Sequence, residues 1–453
     1  MVKKLVSLIM LLFSVLGLTS CATKPVLLFL NWGEYIDEDM IEAFEKKYNC
    51  IVLMDLAESN ELFYSKVRAG TTVYDIVAPS DYMVEKMFKN DMLEKIDFSR
   101  LESFNPDSDN VRAGVKAITR TMQENTKGYR DDEDIKNYFV PYLWGTWGLM
   151  YSTKKEGLME AVTQSESSWS SLFDRSVLPL GTKVSMYDSH QHAYYAACKY
   201  LGLPVDKELT HARLNEIEKL IKDMHYDAWG TDNLKKDIVA GNIDLGFMWT
   251  GDFLYYYCEN IAKIALNAYI NGEITYKEFA PMIDALVSDE AQFIHNGKVY
   301  EVGFDLFIPD DTITFVDSFV ITKNAANKDL AYSFIDFMTS ANQEVDGEKY
   351  DPAFSNAYYV CYDTPYVNVY NEILSLTKGS DGKDKFSKAD TDLYDSNHQN
   401  PYDSALYTKL YDYANARAFS KYYPVDGTKG NKLNSFSRSY VDIINTTFYN
   451  ARI

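Results

Sequence analysis

Trp32, Tyr35, Tyr82, Trp249 and Phe315 lie at the ends of short apolar runs, outside any helical stripe. Glu34, Asp81, Asp252 and Asp317 are interleaved with them. Aromatic faces attract cations and bury methylene chains without needing hydrogen bonds. A carboxylate in a desolvated cleft holds an ammonium group through charge-assisted hydrogen bonds. Rings for the hydrocarbon and carboxylates for the ends are what a linear polyamine requires. The competing reading places these aromatics in the core, the usual fate of aromatics in an α/β protein. Catalytic chemistry has little support: GxSxG, HExxH and Walker-type patterns are absent, and nothing assembles a nucleophile, a base and an oxyanion donor. His190 and His192 straddle Gln191, but a pair without a nearby third ligand is a weak metal signal. No cofactor and no metal are expected.

The elements that would position these residues alternate between strand and helix. Val26–Trp32, Cys50–Leu56 and Tyr74–Ala78 read as strands, the last stopped by Pro79. Met40, Ile41, Phe44 and Tyr48 between the first two recur at helical spacing, and Gly70 can end the helix begun by Leu62, Phe63 and Val67. Further strands are read at Thr146–Ser152, Lys183–Tyr187, Ile243–Trp249 and Phe315–Ile321, with helices between and a closing helix at Ser437–Tyr449. Such alternation predicts an α/β fold with parallel sheet and helices on both faces. In those sheets ligands sit at the carboxyl ends of strands, where the polar-aromatic clusters fall. Three stretches look like additions: polar 107–136, helical 259–302 with a hairpin-like Asn296-Gly297, and 377–404, read as a long loop.

The chain has 453 residues, and its 66 acidic and 45 basic side chains set a net charge of −21. That balance excludes nucleic acid as a partner and suits a cationic ligand. Lys3 and Lys4 precede an apolar run, Leu5–Leu18, too short to span a bilayer. Nothing after it reaches the length of a transmembrane helix. Cys50, Cys198, Cys258 and Cys361 are widely spaced, which fits neither zinc nor a disulfide framework. Cys50, Cys198 and Cys258 sit among apolar neighbours and read as buried thiols.

Two resemblances sharpen this. Leu18-Thr19-Ser20-Cys21 resembles a bacterial lipoprotein signal, with 1–20 removed and Cys21 lipidated. The segment Phe29-Leu30-Asn31-Trp32-Gly33-Glu34-Tyr35 resembles the opening strand of bacterial spermidine/putrescine-binding proteins of ABC importers. The likeness continues through Glu58–Glu61, Tyr74–Tyr82, Val140–Gly145, Leu245–Gly251, Val316–Ser318, Asn324–Lys328 and Thr364-Pro365, in that family's order.

The resemblance implies a type II periplasmic-binding-protein fold: two discontinuous lobes, a hinge and an interlobe cleft. The lobes would comprise 25–139 plus 318–368, and 140–317 plus 369–453. It further implies an aromatic wall of Trp32 and Tyr35, Ser80 and Tyr82 lining the same lobe, and Trp249 stacking from the other. Asp317 would anchor an amine, with Glu34 beside it. Phe315 replaces the family's usual Trp. At the strand end after Tyr187 the family carries acids three residues apart, whereas this chain has Asp188, then Ser189 and His192. One end of the ligand there loses its carboxylate, and a protonated His192 would repel an ammonium, which favours the short diamine putrescine or a ligand with one cationic end. The implied partners are a small cationic ligand and an ABC permease and ATPase complex, with a monomer held extracytoplasmically to the membrane by its lipid. Alternatives are another organic cation such as thiamine in the same cleft, or an adhesive surface lipoprotein.

Overall fold

The computed structural model describes residues 24–164, 169–231, 233–378, 382–383, 385–394, 400–423, 431–432 and 436–452. The leader and Cys21 lie outside them. Among the described residues no helix is long and apolar enough to cross a membrane.

Strands β1 (Val26–Asn31), β2 (Ile51–Leu56) and β3 (Ile76–Val77) pair in parallel, with β1 central. Helices cross over between them, as the alternation requires. Helix Glu38–Tyr48 starts where the Asp37 carboxylate accepts from the Asp39 amide. Helix Asn60–Ala69 starts where the Ser59 hydroxyl accepts from the Leu62 amide, and stops at Gly70 with φ of 63°. Both are side-chain N-caps followed by a left-handed stop.

β4 (Val140–Ser152), β5 (Val184–Tyr187), β6 (Ala228–Gly230) and β7 (Leu245–Trp249) form the other half. A hairpin, β8 (Gln292–His295) and β9 (Lys298–Glu301), stands apart. β10 (Phe304–Phe307) adds to β4, and β11 (Ile313–Ile321) joins the halves, giving the order β2-β1-β3-β11-β4-β7-β5-β6. Here the parallel-sheet expectation needs correction. β11 runs antiparallel to both β3 and β4, and β7 runs antiparallel to β4. The sheet is mixed because two long strands pass between halves instead of returning through helical crossovers. β4 accordingly begins at Val140, six residues before the strand predicted from Thr146.

β11 carries the main irregularity. Its register against β4 shifts between Asp317 and Ser318, where the partner is Pro141. Proline has no N–H to give the ladder. Ser318 instead donates its amide to the Pro79 carbonyl at 3.0 Å, and β11 changes partner from β4 to β3. Such bulges re-aim side chains, and this one carries Asp317.

The additions are structured. Within 107–136, helix Ala113–Thr126 buries Val115, Ile118 and Met122 and packs on helix Asp81–Lys89. Helix Tyr276–Val287 opens with a Thr275/Glu278 capping box, and β8–β9 turns at Asn296-Gly297, both with positive φ. The loop reading of 377–404 is corrected in its described part. Two 3-10 turns, Lys388–Leu393 and Pro401–Asp403, lie there, and Phe386 is buried against Phe279 and Tyr413, 5.2 Å from each. A single aromatic anchor among charged residues is easily missed by composition. Cys50, Cys198, Cys258 and Cys361 are buried free thiols.

One buried ion pair ties the helical addition to the centre. Arg112, just ahead of helix Ala113–Thr126, contacts the Asp363 carboxylate, both side chains at most 3% exposed. The guanidinium also lies 4.2 Å from the Tyr370 ring and 5.0 Å from Trp144. Arg112→Met leaves Asp363 buried without this countercharge. The expected cost is about 3–5 kcal/mol, read as a lowered urea midpoint; an unchanged midpoint would show that Asp363, whose carboxyl is pushed up to about 8 by burial, is held protonated.

Candidate functional site

Where the two halves meet, the cluster-bearing strand ends surround a cavity of about 320 Å³. Trp32, Glu34, Tyr35, Ser80, Tyr82, His192, Trp249, Phe315 and Asp317 all line it. Asp188 and Ser189 do not, and both expectations are corrected. Asp188 pairs with Arg452 at 2.6 Å on the closing helix. Ser189 is the N-cap of helix His190–Tyr200, its hydroxyl 2.6 Å from His192 Nδ1. The strand end is real, but a helix starts there at once and turns both side chains aside.

Asp317 is the deepest charge. It is 4% exposed. Ser80 Oγ donates to one carboxylate oxygen at 2.6 Å and Tyr35 Oη to the other at 2.7 Å. Ser80 is itself clamped by Asn60, whose amide group both donates to its hydroxyl and accepts from its backbone N–H, each at 3.0 Å. Burial pushes the Asp317 carboxyl up to about 7, against the lowering effect of the two hydroxyls, and nearby Asp81 adds to the rise. Among the described residues no basic side chain pairs with Asp317. A cation entering the cavity would meet a carboxylate with both donors already in place.

The rings are held from behind. Trp32 donates its indole N–H to the Ala78 carbonyl at 2.8 Å and packs on Phe63 at 4.6 Å. Tyr35 meets Tyr362 edge-on at 5.0 Å. The Tyr362 ring in turn packs so closely on Gly251 that a β-carbon there would overlap it, which explains the glycine after Trp249-Thr250. Trp249 stands edge-on to Tyr187 at 4.4 Å and 5.3 Å from the His192 ring.

His192 does not behave as its position in the sequence suggests. It is enclosed by Trp147, Tyr187, Phe247 and Trp249. Burial lowers it to about 3, with His190 adding to the effect. The imidazole is therefore neutral near pH 7, and the expected repulsion of an ammonium is corrected. Glu34 is also displaced from its predicted place: its side chain is 79% exposed, on a residue with φ of 51°, and it reaches Lys235 at 3.7 Å, not Asp317. Asp81 faces away from the cavity, accepting from the Val316 amide at 2.8 Å and pairing with Lys432 at 3.2 Å.

Sequence reasoning missed other members of the lining, Asn60, Trp147, Tyr187, Lys235 and Tyr362, whereas Asp252, one of the interleaved acids, does line it. Asn60 stood within Glu58–Glu61 and could have been found there. Lys235 gave no signal, being one of two adjacent lysines on a short helix. A contact between the halves was also hidden. The Gln191 amide, turned toward its acceptors, donates to Glu61 at 2.7 Å and to the Tyr82 hydroxyl at 3.2 Å.

Residues 1–182 match a family described as hypothetical lipoprotein (MG045 family). A putrescine/cadaverine-binding protein of Pseudomonas aeruginosa is 25% identical over 326 residues, 71% of this chain and 77% of that one. A spermidine/putrescine-binding periplasmic protein of Escherichia coli is 29% identical over 230 residues, 50% of this chain and 58% of that one. The chain is thus similar in sequence to bacterial polyamine-binding proteins over 50% to 71% of its length. In three dimensions it is similar to a spermidine/putrescine ABC transporter protein of Listeria monocytogenes, with a TM-score of 0.58 and 20% identity, covering 95% of this chain and 99% of that one. That likeness shows the two-lobed fold.

The raised Asp317 carboxyl has a consequence for the ligand-free protein. As pH climbs from the ordinary carboxyl range toward about 7, the unfolded chain ionises freely while the buried group resists. The native state thereby loses stability, by up to about 4 kcal/mol. Asp317→Asn should be more stable than the parent at pH 8 and nearly equal to it at pH 4, as read by urea denaturation at both values. Equal stability at pH 8 would mean the carboxylate is solvated.

Proposed function

We propose that this protein is the extracytoplasmic solute-binding component of a polyamine ABC importer, delivering putrescine or spermidine to a permease and ATPase complex. The observation that carries the reading is Asp317, a buried carboxylate pre-set by Ser80 and Tyr35 inside a cavity walled by Trp32, Tyr35, Tyr82, Trp249 and Phe315. A terminal ammonium binds the carboxylate, and the methylene chain lies against the rings. The names of the relatives point the same way. The role is binding, not turnover, because the lining supplies rings and carboxylates and no activated nucleophile. The match to a lipoprotein family supports lipid attachment at Cys21 of a monomer anchored at the outer face of the cell membrane.

The lobes in this reading are 25–139 plus 318–368 and 140–317 plus 369–453. They close over the ligand by bending at the strands they share, and the Gln191–Glu61 contact belongs to the closed form. Closure excludes water and strengthens the ion pair. With His192 neutral, its repulsion of an ammonium no longer counts against a polyamine.

Calorimetric titration with putrescine, cadaverine and spermidine tests the assignment; absence of heat with all three would sink it. Asp317→Asn is expected to weaken binding by about 10- to 100-fold, and Trp249→Ala by about 10-fold. Binding also has a defined pH dependence. The amines stay charged while Asp317 must ionise, so affinity should rise by about tenfold per pH unit from pH 5 toward about 7 and then level off. A profile equally steep in Asp317→Asn would assign the titration to another group.

A further inference from the structure

The cavity contains a cation of its own. Lys235, on helix Asn233–Val239, lines it with a side chain only 7% exposed. Its Nζ lies 3.2 Å from Asp252 Oδ1 and 3.7 Å from Glu34 Oε2. Asp252 belongs to the first turn of helix Thr250–Ile270, and its side chain is 19% exposed. Glu34 is at the mouth and mostly in water, so its charge is screened. The inward charges of the lining are therefore Asp317, which is buried, Asp252, which is partly buried, and Lys235, which is basic and paired with Asp252; Glu58, the other acid of the lining, is exposed like Glu34.

We propose that Lys235 is a specificity-determining residue: by occupying Asp252 it leaves the interior of the cleft with one carboxylate for one ligand ammonium. This rests on the polyamine reading and deepens it. The first ammonium goes to Asp317. A second that approaches Asp252 comes within a few ångströms of another ammonium and is repelled. It is held at the mouth instead, where Glu34 and water share the charge. The cleft thus discriminates by the number of charges that must be desolvated, and it favours short or singly charged amines over long, multiply charged ones.

The test compares n-butylamine, putrescine and spermidine by calorimetry on the wild type and on Lys235→Met, which keeps the aliphatic stem and removes the charge. The ratio of butylamine to putrescine dissociation constants should rise by about tenfold or more in Lys235→Met, the corresponding ratio for spermidine should rise at least as much, and Lys235→Arg should leave both near wild type. Ratios unchanged within threefold, or all three amines weakened together, would overturn the proposal and reduce Lys235 to a bracket between helices. If thermal melts show Lys235→Met unfolded, Asp252→Asn substitutes for it. That change releases the lysine charge into the cleft, so it should weaken putrescine more than butylamine; equal weakening overturns the proposal. A wild type that binds none of the three amines fails the polyamine reading itself, whereas binding with unmoved ratios fails only the role of Lys235.

Discussion

A carboxylate that no basic side chain among the described residues answers, buried at the junction of two halves of the molecule, is the constraint around which this structure is organised. Burying Asp317 is unfavourable, and the chain offsets it with two hydroxyl donors, not with a cation. Those donors come from distant parts of the sequence. Tyr35 follows β1, Ser80 follows β3, and Asp317 is on β11. Their meeting requires β11 to lie beside both β3 and β4, which is what the bulge opposite Pro141 allows. A basic partner would have made the site more stable and useless for catching a cation.

The second carboxylate end is built on the opposite principle. Asp252 has a lysine at 3.2 Å. The two ends of one cavity thus differ in what they offer, one charge open and one answered. Between them stand the rings of Trp32, Tyr35, Tyr82, Trp249 and Phe315. Trp249, Tyr187 and His192 interlock edge-on, so the wall is rigid, and the neutral imidazole behaves as part of it.

Across the mouth of the cleft the halves meet through polar side chains. Gln191 reaches Glu61 and Tyr82, and Lys235 reaches Glu34. The strands they share are buried, β11 at every position. That combination suits a molecule whose halves move as units about a persistent centre, because breaking a few hydrogen bonds at the mouth costs little compared with opening a core.

What the amino-acid order determined by itself was local. Apolar runs closed by Pro79 or Gly70 located most strands and helices, since backbone restriction and capping act within a few residues. The aromatic and acidic clusters after strands were legible because side chains at strand ends have few places to go in an α/β fold. What only the tertiary structure decided depended on approach between distant segments. The sheet became mixed because β11 and β4 cross between halves. Asp188 and Ser189 were lost to the cleft because a helix begins at their position, while His192, one turn further, is swung into a ring of aromatics that strips its charge. Phe386 anchors a segment whose composition reads as loop. Lys235 entered the site from a helix with no distinguishing pattern, for charge pairing across tens of residues leaves no periodic trace. Spacing shows which groups can point the same way; only packing sets which of them keep their charge.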